Sequence, residues 1–205
     1  GGVTLQLGGQ TNTALAGGTL TVTGNATLVA PALMGTVNIN AGTLTLAGGN
    51  LLDDAANVTV APSAGLALGS DETVGTLALA GTLSGTGHLL HTNGLTTLQA
   101  GALVSANLGA ATLLVTGNST LQGTASATTL LVSTGRLTLD GDGLLAGAPQ
   151  VTVNSAGTLA LGGDETVGAL TLAGTLDGTG TLTAPNVYFA GGRANANLGG
   201  GAISV

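Results

Sequence analysis

The sequence predicts an all-β chain wound as a right-handed parallel β-helix, a β-solenoid of about nine coils with short strands. Three observations predict it. Short runs alternating apolar and small or polar residues recur along the whole chain. Leu, Val and Ala supply nearly all of the 43% hydrophobic content, while aromatics stand at 1%. And the sequence repeats itself at a fixed long interval.

The runs begin with GTLTV at 18–22, GTVNI at 35–39 and GTLTL at 42–46. NVTV at 57–60, GLAL at 65–68 and GTLAL at 75–79 follow. Each puts Leu, Val or Ile on one face and Thr, Asn or Ala on the other, the pattern of a half-buried strand. Leu77, for example, is expected to point inward. Glycine, Asn-Ala, Ala-Pro and Asp pairs punctuate the runs as turns. Helix is disfavoured, because Thr and Val are β-branched and no stripe of helical period persists. With no Trp, one Phe and one Tyr, the chain cannot fill a thick sandwich core. It can fill the thin core of a solenoid, where inward ladders of aliphatic residues stack about 4.8 Å apart. Coils of roughly 20–24 residues would give about four coils per long repeat and a rod of about 45 Å. Strict hexapeptides, the mark of the left-handed alternative, are absent.

The long interval is 93 residues. VTGNATL at 22–28 returns as VTGNSTL at 115–121, and GSDETVGTLALAGTLSGTG at 69–87 as GGDETVGALTLAGTLDGTG at 162–180. The interval then slips to 90, since SANLG at 105–109 matches NANLG at 195–199. The copies, approximately 17–109 and 110–199, therefore diverge most at 87–104 and 180–194. Both ends read as cut strands without polar caps, so residues 1–205 are expected to be a single segment of a longer filament.

The net charge of −7 arises mainly from a shortage of bases, with only Arg136 and Arg193 present. Nucleic-acid binding needs a basic surface and is not expected. The absence of cysteine removes disulfides, thiolate metal sites and cysteine nucleophiles. No apolar run approaches the length of a membrane span, so no membrane insertion is expected.

Among candidate site residues, Asp71-Glu72 and Asp164-Glu165 stand out, because one acidic pair occurs in each repeat. They read as a coil corner, with Asp accepting backbone N–H bonds before Val74 or Val167 enters the core. Calcium would need six to eight oxygens, and no further ligands accompany them. Asp140 and Asp142, in LDGDGLL, are the better calcium mimic, though a solvated loop is the simpler reading. His88 and His91 lie in GHLLHTNG, which reads as strand and turn, so they are expected at the surface, as possible ligand contacts in the divergent segment and not as a metal pair. Tyr188 beside Phe189, with Arg193 nearby, could touch a sugar or another protomer, or simply fill the core. No cofactor is called for. Catalysis is not expected, because acidic-polysaccharide chemistry on such folds needs clustered carboxylates with Lys or Arg, and no G-x-S-x-G elbow occurs. Rows such as Thr19-x-Thr21-x-Thr23 raise ice binding, which would require the same motif in every coil; GLAL and GTVNI break it.

The stretches GTLTL, LALGSDETVGTLALAGTLSGTG and ANLG resemble the repetitive shafts of filamentous-haemagglutinin-like exoproteins of two-partner secretion systems. The resemblance implies a structural shaft of a large adhesin that is secreted to, or held at, the bacterial cell surface. Attachment, aggregation or biofilm matrix would be its role. Its expected partners are a host-cell surface, matrix polysaccharide or neighbouring adhesin rods, and the outer-membrane transporter of the parent protein. The NPNL-type signature of the family's secretion domain is missing from this segment. The alternative expectation is a carbohydrate- or receptor-binding β-helix module acting through 87–104 and 180–194.

Overall fold

The computed structural model describes residues 1–109 and 112–205, with the backbone alone at 92 and 93. The opening of the second long repeat, at 110 and 111, lies outside the described residues. Among the described residues there is no helix; every named element is a strand, and all the strand pairings are parallel. None is a helix long and apolar enough to cross a membrane.

Three faces run the length of the molecule, two of them as continuous ladders and the third with interruptions. The first face carries Val3–Leu5, Thr19–Val22, Thr36–Ile39 and Asn57–Val60, and it continues at the same position of every later coil to Ala202–Ser204. Gly9–Thr11, Ala26–Leu28, Thr43–Leu46 and Gly65–Leu68 begin the second face. The third is made of shorter pieces, from Leu15–Ala16 and Ala32–Leu33 to Asn197–Gly199. Alternation decides which side is inside. In Thr19–Val22, Leu20 and Val22 are fully buried and the threonines face out. Leu77 is 1% exposed, as its place in the pattern requires. The inward residues form one continuous cluster of Leu, Val, Ile and Ala, with Met34 its only sulfur.

The fold class matches the sequence expectation of a parallel β-solenoid, but the coils are shorter and more numerous. Twelve strands follow one another on the first face, against about nine expected coils. Successive partners Thr19, Thr36, Asn57, Thr76, Leu95 and Thr112 set coils of 17, 21, 19, 19 and 17 residues. The 93-residue repeat is thus five whole coils, not four. From Thr112 the same series runs 17, 21 and 19, then shortens to 17 and 16, which accounts for the slip to 90. Tight corners make such short coils possible. At Gly85 and Gly178, equivalent in the two repeats, φ is 114° and 110°. A Cβ at either would lie 2.1 Å from the carbonyl oxygen of Leu68 or Leu161 in the coil before. Only glycine allows that approach.

Candidate functional site

The third face has one defect per repeat, and the acidic pair repairs it. Leu52 bridges back to Ala32, but no strand of the next coil pairs onto residues 51 and 52. Their N–H groups would be left unpaired inside the solenoid. Glu72 turns inward instead and accepts both, Leu51 at 2.9 Å and Leu52 at 3.0 Å. Glu165 does the same for Leu144 and Leu145, at 2.8 and 2.9 Å. The two carboxylates are 0% and 2% exposed. Each stands in for two main-chain carbonyls and splices a broken ladder.

The neighbouring aspartate reaches the other way. Asp71 Oδ1 accepts the His88 backbone N–H at 2.8 Å, and Asp164 Oδ1 that of Thr181 at 2.7 Å, each 17 residues ahead. One Asp-Glu dipeptide therefore ties three successive coils. The sequence reading had the aspartate right in kind, as an acceptor of N–H. It missed that the donor lies in the next coil, and that the glutamate is buried. A carboxylate between two apolar strands carries no sequence signal beyond its fixed recurrence in LGSDETVG and LGGDETVG.

The histidines part company. His88 is exposed and central to a polar line along a corner. Its Nδ1 is 3.0 Å from Asp71 Oδ1, and its Nε2 is 3.2 Å from Asn107 Nδ2. Asn107 Oδ1 then accepts from Thr124 N and Oγ1 at 3.0 and 2.9 Å. These contacts make Nδ1–H the donor to Asp71. First the His88 amide and then its ring hold the Asp71 carboxyl below its ordinary value. His91, expected at the surface, is largely buried. Its Nε2 is 2.7 Å from Thr96 Oγ1, and its Nδ1 is buried without a partner. Thr96 occupies an inward position between Leu77 and Leu113 and is fully buried. The run GLTTL does hint at this, since it sets Thr where the ladder elsewhere has Leu or Val.

Burial lowers the His91 pKa from 6.5 to about 4. The unfolded chain takes up that proton first, so stability is lost as pH falls from 6.5 towards 4, by up to about 3 kcal/mol. Burial raises Glu72 and Glu165 above 4.5, against the pull of their N–H partners. Their contribution has the opposite sign: it is full below 4.5 and is lost as pH rises through the raised value. Melting temperatures of His91→Leu should accordingly fall less on acidification to pH 4 than those of the parent. An unchanged pH profile would remove His91 from this role.

The remaining candidates do not assemble. Asp140 Oδ2 accepts from Gln122 Nε2 at 2.9 Å, and Asp142 Oδ1 accepts the Asp164 N–H at 2.6 Å. Each is committed to a neighbouring coil. Among the described residues no group of three His, Asp or Glu is placed to hold a metal. Tyr188 is 49% exposed on the first face, while Arg193 lies on the second, so they are not one patch. Arg136 Nη1 meets Asp177 Oδ2 at 2.9 Å across two coils.

Two shallow clefts lie on the second face, and they are the same cleft twice. One, of about 520 Å³, is lined by Leu7–Gln10 with Asn25, Thr27, Thr43 and Thr45. The other, of about 340 Å³, is lined by Gly101–Leu103 with Asn118, Thr120, Arg136 and Thr138, each 93 residues on. In both, the asparagine Oδ1 accepts a backbone N–H from the next coil at 2.9 Å, Asn25 that of Thr43 and Asn118 that of Arg136, and so shapes the floor.

No protein-family model, no curated protein and no solved structure matches this chain. The solenoid's chemistry must therefore be read from its own residues. Their polar side chains go chiefly to joining coil to coil.

Proposed function

We propose that the chain is a structural shaft segment of a secreted bacterial adhesin, a rod about 50–55 Å long that holds binding regions away from a cell surface. One observation carries the reading. Where the backbone ladders break, the buried Glu72 and Glu165 and their aspartates splice the coils, so polar chemistry goes into continuity along the axis. The resemblance of GTLTL, LALGSDETVGTLALAGTLSGTG and ANLG to haemagglutinin-like shafts points the same way. In this reading the mechanism is mechanical and includes no catalytic step. Load along the axis is shared by parallel ladders, and the Leu, Val and Ala interior keeps coils in register.

The test is to display the chain between a bacterial surface anchor and a tag of known affinity. The tag should move outward by about 50 Å, and the chain itself should bind neither host cells nor matrix polysaccharide. Strong binding by the chain alone would sink the shaft reading. It would favour the second one, a carbohydrate-binding module, for which the twin clefts are the supporting feature. The second cleft takes in Gly101–Leu103 of the divergent segment 87–104.

A further inference from the structure

Charge is partitioned among the three faces. Arg136, Arg193 and Asp177 are on the second face, and every other acidic residue lies on the third face, its corners or the loops beside it. Among the described residues, the twelve stretches that pair on the first face carry no charged side chain, although the chain carries −7. Its outward rows are mostly Thr, Asn and Ala. In three successive coils they change character: Leu95, Leu114 and Leu131 face out, part-exposed, where most other coils have Thr or Asn. Leu114 and Leu131 are direct ladder partners, and Thr97 beside them is uncharged as well.

We propose that this first face is a lateral docking surface for a second copy of the same chain, packed face to face about a two-fold axis through the leucine patch. Three features select that occupant. Two copies at −7 each can approach only where charge is absent, and this is the one strand face that offers it. A two-fold axis sets the patch against itself, which is the self-complementarity an isologous contact needs. Strands four residues wide, about 13 Å, over about 53 Å of stacked coils give about 700 Å² per copy, or about 1,400 Å² in all. That is the size of a stable, specific interface. An ice surface fits less well, because the outward leucines and Tyr188 interrupt the threonine rows. The proposal does not depend on the adhesin reading.

The experiment is sedimentation of the purified chain across a concentration series, alongside Leu114→Glu/Leu131→Glu and the second-face control Ala67→Glu. The parent and Ala67→Glu should form a dimer. The double variant should sediment as a monomer, with dimer affinity weakened by more than about a hundredfold through like charges set opposite one another. Because the chain has no cysteine, Leu114→Cys gives a second readout that does not depend on tolerance of glutamate. On oxidation it should cross-link into a disulfide-bonded dimer, and Ala67→Cys should not. A parent that stays monomeric at all concentrations overturns the proposal. So does a dimer indifferent to both glutamates, or ice shaping by a monomer.

Discussion

Glu72→Ala should open the third face of the solenoid around Leu51 and Leu52 and lower stability by about 2–5 kcal/mol. Two buried N–H groups lose their acceptor together, and an unsatisfied buried donor costs about 1–3 kcal/mol. Relief from burying the carboxylate offsets part of this, since burial raises the Glu72 pKa. The damage should be local, because each coil touches mainly its neighbours. Hydrogen exchange makes the result readable. The Leu51 and Leu52 amides should lose protection in the variant, whereas Leu144 and Leu145, held by Glu165, keep theirs. Glu165→Ala should produce the mirror result, and the two costs should add, the sites being about 24 Å apart. Protection at Leu51 and Leu52 that survives Glu72→Ala would show that the carboxylate is not their acceptor.

The second large effect concerns the aliphatic ladder. Leu130 is fully buried, with Leu113 below it and Val151 above. Leu130→Asp places a carboxylate between two apolar ladder neighbours, at a cost of about 4 kcal/mol or more. Leu77→Asp should cost less, although Leu77 is 1% exposed. Its ladder neighbour is Thr96, whose hydroxyl can donate to the new carboxylate. Denaturant midpoints of the two variants decide the matter, and equal losses would mean that the Thr96–His91 pair offers no compensation.

What the sequence made legible follows from period. Alternation in GTLTV or NVTV sets inside and outside without ambiguity, because strand side chains repeat every two residues. The 93-residue interval located equivalent places in the two copies, and the slip to 90 marked where coils shorten. Coil length was not legible. Strand runs alone do not say how many residues a corner consumes, and the tight glycine corners here consume few. Side chains that act between coils were hidden for the same reason. Glu72 and Leu51 are 21 residues apart, and no local pattern joins them. The burial of His91 likewise depends on the inward Thr96, a contact that exists only once the chain has turned the corner.

The match between the repeat and a whole number of coils has a genetic consequence. After 93 residues the chain returns to the same angular position with the same outgoing register, so residue 22 and residue 115 are interchangeable joints. Unequal exchange between the two copies, at any matching residue, would yield a chain longer or shorter by five complete coils. No strand would be stranded and no carboxylate would lose its amides. Length then becomes a trait that recombination can adjust in steps of about 24 Å without passing through a misfolded intermediate.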